Sequence, residues 1–239
     1  LADRPGIVQL DVDAINAVNA VHPMITIATV PQWQRMDARG MVATIKIISY
    51  AVPEAALAEA ESHARGALSF RTPERCQPAF LQTVVAGDDG ARGHEATEAR
   101  LAAMGVEMPA KAVVAHDTDA LSAAITAQKA ADIILILTGS ATSDINDVAP
   151  AALRAAGGEV LHYGMPVDPG NLLFIGTHRD RPVIGLPGCA RSPALNGVDW
   201  VLERLICGVP VTAQDIMGMG VGGLLKEIPT RPQPRRKGR

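Results

Sequence analysis

The chain has 239 residues, of which 48% are hydrophobic and only 3% aromatic, with a formal charge of −3. That length holds one large domain or two small ones, with a core of Ala, Val, Ile, Leu and Met rather than rings. The acidic balance argues against a general nucleic-acid binder, and no apolar run approaches the roughly 20 residues of a membrane-spanning helix.

Residues 1–70 read as a small α+β segment. Asp11 to Val21 places apolar residues at 12, 15, 18 and 21, which predicts a short helix with Asp11 as its cap. Met24 to Val30 is β-like, Pro31 to Gly40 a loop, and Met41 to Tyr50 alternates as a strand does. Pro53 opens an alanine-rich helix to about Ala64. Residues 68–78 are polar and hold two prolines, so a domain boundary is placed there, with a second domain over 71–225.

From Ala79 the pattern becomes regular. Strands are predicted at Ala79–Val85, Ala112–Ala115, Ile133–Leu137, Val160–Tyr163, Leu172–Ile175 and Pro182–Leu186. Helices are predicted at Glu95–Met104, Asp119–Ala130, Val148–Ala156 and Ser192–Ile206, with a turn at Gly87–Gly90. This alternation predicts an α/β domain: a doubly wound, mostly parallel sheet with helices on both faces. Residues 215–225 are glycine-rich and apolar and read as a docked C-terminal segment. The Pro/Arg-rich stretch 226–239 reads as a solvated basic linker or tail. There is no internal repeat.

Three segments carry candidate chemistry. In the first, the Ile133–Leu137 strand stops at Thr138, Gly139 and Ser140, followed by Thr142, Asp144 and Asp147 before a helix. Small residues let a phosphate approach backbone, hydroxyls add donors, and a strand-to-helix turn points N–H groups at the strand's carboxyl end. Asp147, at the helix start, either caps the helix or serves the site, and Asp144 can share a magnesium ion with it. In the second, GLPGCARSP, Pro187–Gly188 turns the chain. A helix is expected to start at Ser192 with Pro193 at its first position, placing Arg191 for a phosphate. Cys189 there reads as a small packing residue rather than a nucleophile. The third, MPVDPGN with Pro169, Gly170 and Asn171, is a turn and a candidate wall of the same pocket.

Other chemistries lack their signatures. Cys76, Cys189 and Cys207 form no CxxC pair, which disfavours a zinc site and fits a reducing cytosol, so a cytoplasmic location is expected. The six histidines show no HxH or HxxxH spacing and read as surface or loop residues. No GxGxxG follows the strand at 79–85, which leaves a dinucleotide-binding oxidoreductase weak. No signal peptide is visible, and the start at Leu1 is expected to mark a piece of a longer protein.

The order strand–TGS…D–helix, Pro169–Gly170 turn, then Leu186–Pro187–Gly188 and helix resembles the molybdopterin-binding domain family of molybdenum cofactor biosynthesis, over about residues 78–208. The segments MPVDPGN, GLPGCARSPALNGVDWVLERL and DIMGMGVGGLLKEIPTRPQPR resemble a bacterial group in which such a domain is fused to a C-terminal molybdenum cofactor nucleotidyltransferase domain. The resemblance implies binding of the pyranopterin molybdopterin by these loops. Ser140, Thr142, Gly188 and Arg191 would hold its terminal phosphate, and Asp147 a magnesium ion or the pterin. If the domain is catalytic, the reaction would be adenylyl transfer from ATP or metal insertion, with Asp147 and Asp144 as its acids. The alternative is a non-catalytic carrier that hands the cofactor to the nucleotidyltransferase. A homo-oligomer is expected by analogy with relatives. In this chain Gly139-Ser140-Ala141-Thr142 replaces the family's glycine-richer loop, and Asn171 stands where many relatives have lysine.

Overall fold

An Ile/Leu run with no polar break needs a neighbour on every side, and Ile133–Leu137 finds them: all five residues are buried. In the computed structural model, which describes residues 1–86 and 93–225, this strand lies inside a six-stranded sheet. The chain divides into two compact units, Leu1–Glu74 and Arg75–Arg239.

In the first unit, β1 (Gly6–Leu10) is the centre of a three-stranded antiparallel sheet, between β3 (Arg35–Met36) and β5 (Leu68–Arg71). A second, two-stranded antiparallel sheet joins β2 (Ile25–Thr29) to β4 (Ala43–Ile47). Helices α1 (Val12–Val21) and α2 (Glu54–Ala64) complete it. Asp11 caps α1 as expected, accepting from the Ala14 N–H at 3.0 Å, and Pro53 sits one residue before α2. Val18, Ile25 and Ala60 pack α1, β2 and α2 into one apolar cluster. The polar run 68–78, read as a boundary, begins with a strand. β5 pairs with β1 some 60 residues earlier in the chain, a partner that local composition does not reveal.

The second unit runs β6 (Pro78–Val84), α3 (His94–Ala103), β7 (Ala112–Ala115), α4 (Thr118–Ala127), β8 (Ile133–Leu137), α5 (Val148–Ala155), β9 (Glu159–Tyr163), β10 (Phe174–His178), β11 (Arg181–Leu186), α6 (Gly197–Ile206) and α7 (Ala213–Met217). The strand order is β7-β6-β8-β11-β10-β9. The first four are parallel; β10 and β9 add an antiparallel edge. The fold is thus the mostly parallel α/β sheet that the sequence predicts. Leu81, Ile134, Ile136 and Val183 pack on one face with Leu121 and Ile125 of α4 and Ala152 and Leu153 of α5. The alternate residues Phe80, Ile133, Leu135 and Leu137, facing the other way as strand pleating requires, are equally buried.

In the first unit β3 falls within Pro31–Gly40, read as a loop, and in the second two elements differ most from expectation. β10 covers 174–178 rather than 172–175. It turns into β11 through Arg179 and Asp180, both at positive φ, the backbone of a tight two-residue hairpin. The last long helix does not start at Ser192. Residues Gly188–Arg191 form a 3-10 turn, and α6 begins after Asn196. A capping box decides this: Asn196 Oδ1 accepts from the Val198 N–H at 3.1 Å, while Asp199 Oδ2 accepts from the Asn196 N–H at 2.8 Å. Ser192 and Pro193 are exposed and outside any helix. The docked segment near residue 215 contains α7, and Leu225 and Gly223 hydrogen-bond the backbone of Asp168 on both sides. The predicted turn Gly87–Gly90 and the tail 226–239 lie outside the described residues. No helix among the described residues is long and apolar enough to cross a membrane.

Candidate functional site

From β6 the chain passes to β7 on one side and β8 on the other, so the sheet's order reverses between β6 and β8. In open α/β sheets ligands bind outside the strands' carboxyl ends at such a switch point. The register brings the three candidate segments to that edge. Leu137, the last residue of β8, pairs with Leu186, the last of β11. Phe174, the first of β10, stands between Gly185 and Tyr163, the last of β9.

Gly139 sits in the switch point itself. A Cβ there would lie 3.0 Å from the Thr83 carbonyl oxygen and 3.0 Å from the Val85 nitrogen, so the loop after β8 rests against the end of β6 with no room for a side chain. The Gly139 N–H donates to Thr83 Oγ1 at 2.9 Å. Thr83 Oγ1 is 2.8 Å from His116 Nδ1, and His116 Nε2 is 2.8 Å from Ser140 Oγ. His116 follows β7, so one imidazole links the ends of three neighbouring strands.

Thr138 and Thr142 are buried. Their hydroxyls lie 3.1 Å apart, and Thr138 donates to the Ser140 carbonyl at 2.6 Å. These two side chains brace the loop from inside, whereas Ser140 is exposed. The Tyr163 hydroxyl donates to the Thr142 carbonyl at 2.9 Å. Burial, then the charges of Asp147 and Asp144, raise the Tyr163 pKa, which keeps the phenol a donor.

Asp147 occupies the cap position of α5 but makes no side-chain bond to the helix amides. Its Oδ2 turns back and accepts the N–H groups of Ser143 at 2.5 Å and Asp144 at 3.0 Å. Asp144 Oδ1 accepts from the Asn146 N–H at 2.7 Å. Each acid keeps a second carboxylate oxygen, but among the described residues no group of three or more His, Cys, Asp or Glu converges to hold a metal. A magnesium ion at Asp147 would need oxygens from the ligand to complete its shell.

Arg191 joins the first two segments. Its Nη2 donates to the Thr138 carbonyl, and its Nη1 lies 3.5 Å from where a Cβ of Gly188 would be. The guanidinium therefore lies across both loops, brought there by the 3-10 turn rather than by a helix N-terminus. A second arginine fixes that turn. Arg100 of α3 pairs with Asp199 of α6 at 2.5 Å and donates to the carbonyls of Ala190 at 2.8 Å and Ser192 at 2.9 Å.

The third segment is less open than expected. Pro169 and Gly170 are buried, and the Pro169 carbonyl accepts the Gly197 N–H at 2.8 Å, finishing the start of α6. Asn171 is the exposed member, 3.4 Å from the Met165 carbonyl through Nδ2. The Ser192 hydroxyl accepts from the Ala194 N–H at 3.2 Å and serves its own turn. Cys189, expected to pack, is exposed and accepts from Asn196 Nδ2 at 3.1 Å.

Sequence reading missed Thr83, His116, Tyr163 and Arg100. His116 was readable in part, because it stands one residue past a parallel strand and just before Asp117, which caps α4. His178, read as a surface or loop residue, is buried at the end of β10. A cleft of about 610 Å³ between Cys76–Phe80, Glu107–Ala110, Ala112 and Ala127–Ala131 lies at the sheet's opposite, amino end. It does not touch these loops.

The fold is an open α/β domain whose switch-point edge carries hydroxyls, a guanidinium and two carboxylates. Residues 92–206 match the family model described as a probable molybdopterin binding domain. Solved structures add similarity at low identity. A molybdopterin biosynthesis MoeA protein from Pyrococcus horikosii is 18% identical, with 86% of this chain and 68% of that one covered and a TM-score of 0.42. Molybdenum cofactor biosynthesis protein B is 12% identical over 57% of this chain and 96% of that one, with a TM-score of 0.40. A molybdopterin biosynthesis protein from Mycobacterium abscessus is 16% identical over 54% and 90%, with a TM-score of 0.37. No curated protein sequence matches the chain.

Proposed function

We propose that the unit from Arg75 onward binds molybdopterin at the carboxyl edge of β6, β8 and β11 and serves molybdenum cofactor biosynthesis. The observation that carries this reading is the Arg191 guanidinium laid across the Thr138 carbonyl and Gly188, beside a loop in which Ser140 offers an exposed hydroxyl, within the span that matches the family model. A phosphate monoester is doubly charged and wants a guanidinium and hydroxyl donors at one point. Ser140 and Arg191 supply them. Gly188 leaves space, Thr142 shapes the loop, and Asn171 lines the far side. The chemistry of this donor set, a guanidinium and hydroxyls, fits the ligand's terminal phosphate better than its pterin ring.

The carrier reading is favoured over a catalytic one by the state of the acids. Asp147 and Asp144 each spend an oxygen on their own loop, and no third acid or histidine joins them among the described residues. Under this reading the domain holds the cofactor for a nucleotidyltransferase partner or fused domain, and ATP is not turned over.

Titration with molybdopterin, followed by the fluorescence of its oxidised pterin, tests both. Saturable binding is expected, weakened about tenfold by Ser140→Ala, as loss of one hydrogen bond to a charged group predicts. Incubation with ATP and magnesium should release no pyrophosphate. Pyrophosphate release lost in Asp147→Asn would restore the catalytic reading.

A further inference from the structure

The contacts of His116 are more ordered than those of a passing loop histidine. Thr83 is fully buried, and its oxygen already accepts the Gly139 N–H. Its own hydroxyl proton needs an acceptor, because an unpaired hydroxyl away from water costs free energy. His116 Nδ1, at 2.8 Å, provides one. With Nδ1 accepting, the ring proton is carried on Nε2. The Nε2–H then donates to Ser140 Oγ at 2.8 Å, and the Ser140 proton is left over. Ser140 is exposed, so that proton points to whatever occupies the crevice. The reverse arrangement would spend the Ser140 proton on Nε2 and strand the Thr83 proton in the core.

We propose that His116 is a positioning residue of this site: by accepting from Thr83 and donating to Ser140, it turns the Ser140 hydroxyl outward as a donor to an anionic ligand oxygen. This rests on the molybdopterin reading, whose terminal phosphate is the anion. The chain of bonds also couples the loop's position to the hydroxyl's direction, since Gly139 and Ser140 are neighbours held to the same imidazole through its two nitrogens.

Asparagine and glutamine separate the two nitrogens. Asn at 116 reaches only the place of Nδ1, whereas Gln puts an amide N–H near the place of Nε2. His116→Asn should weaken molybdopterin about tenfold, like Ser140→Ala, and the double variant should be no weaker than Ser140→Ala alone. His116→Gln should stay within about threefold of wild type, as one retained hydrogen bond predicts. Additive losses, or equal losses in Asn and Gln with unchanged unfolding midpoints, would overturn the proposal. Ring nitrogen-15 shifts of the wild-type chain without ligand give a second readout. A proton on Nε2 is expected, and a proton on Nδ1 would overturn the proposal. If wild type binds no molybdopterin, the molybdopterin reading fails by itself, and the ring shifts still decide the role of His116.

Discussion

Asp147 stands where a helix cap belongs, yet its carboxylate bends back to gather the amides of Ser143 and Asp144. The residue closes its own loop before it offers anything to a ligand. Asp147→Ala should lower unfolding stability by about 2 kcal/mol, the usual worth of hydrogen bonds to a charged group. Asp147→Asn, whose Oδ1 can still accept both amides, should lower it by less. Urea unfolding of the three proteins checks this, and equal losses would mean that charge rather than the acceptor holds the loop. Gly139 was legible as a residue that must be small, because a strand ending in Thr-Gly-Ser before a helix demands close approach. What it approaches was not: the backbone of Thr83 to Val85, more than 50 residues earlier. The same distance hid the Thr83–His116–Ser140 chain, whose members come from three separate strand ends.

Among the elements, β8 and β11 were readable because both are buried over most of their length and carry little but aliphatic side chains. The start of α6 was misplaced because Pro193 resembles a helix opener, while the reciprocal Asn196–Asp199 cap outweighs it. Asp199 does double duty, since it also pairs with Arg100 with about 11–12% of either side chain exposed. Removing one partner strands the other. Arg100→Met should cost about 3 kcal/mol, and Arg100→Met with Asp199→Leu should recover much of that loss. Thermal melts of both variants check it; a double variant no better than the single would place the cost in the Arg100 contacts to the 190–192 backbone instead. At the hairpin of β10 and β11, burial, then Arg181 and Arg179, hold the His178 pKa below its ordinary value. The unfolded chain therefore binds this proton first. The contribution is fully present above the unfolded pKa near 6.5 and declines as pH falls through it toward the lower folded value. The urea midpoint should drop more between pH 7.5 and 5.5 in wild type than in His178→Asn, and equal drops would exclude His178 as the source.

At the scale of the molecule, alternation of strands and helices sufficed for the sheet of the second unit, including its mostly parallel order. The first unit was harder because β1 is a short strand that pairs with β3 and β5, which lie far from it in the chain. The proposed site lies where a switch-point rule puts it, although a cleft of about 610 Å³ opens at the other end of the sheet. That contrast makes the location of the ligand the central claim. Hydrogen exchange of the backbone amides, compared with and without saturating molybdopterin, measures it directly. The account predicts added protection over residues 138–147 and 187–191, with little change at 76–80 and 127–131. Protection confined to the amino-end cleft, with the 138–147 loop unaffected, would contradict it.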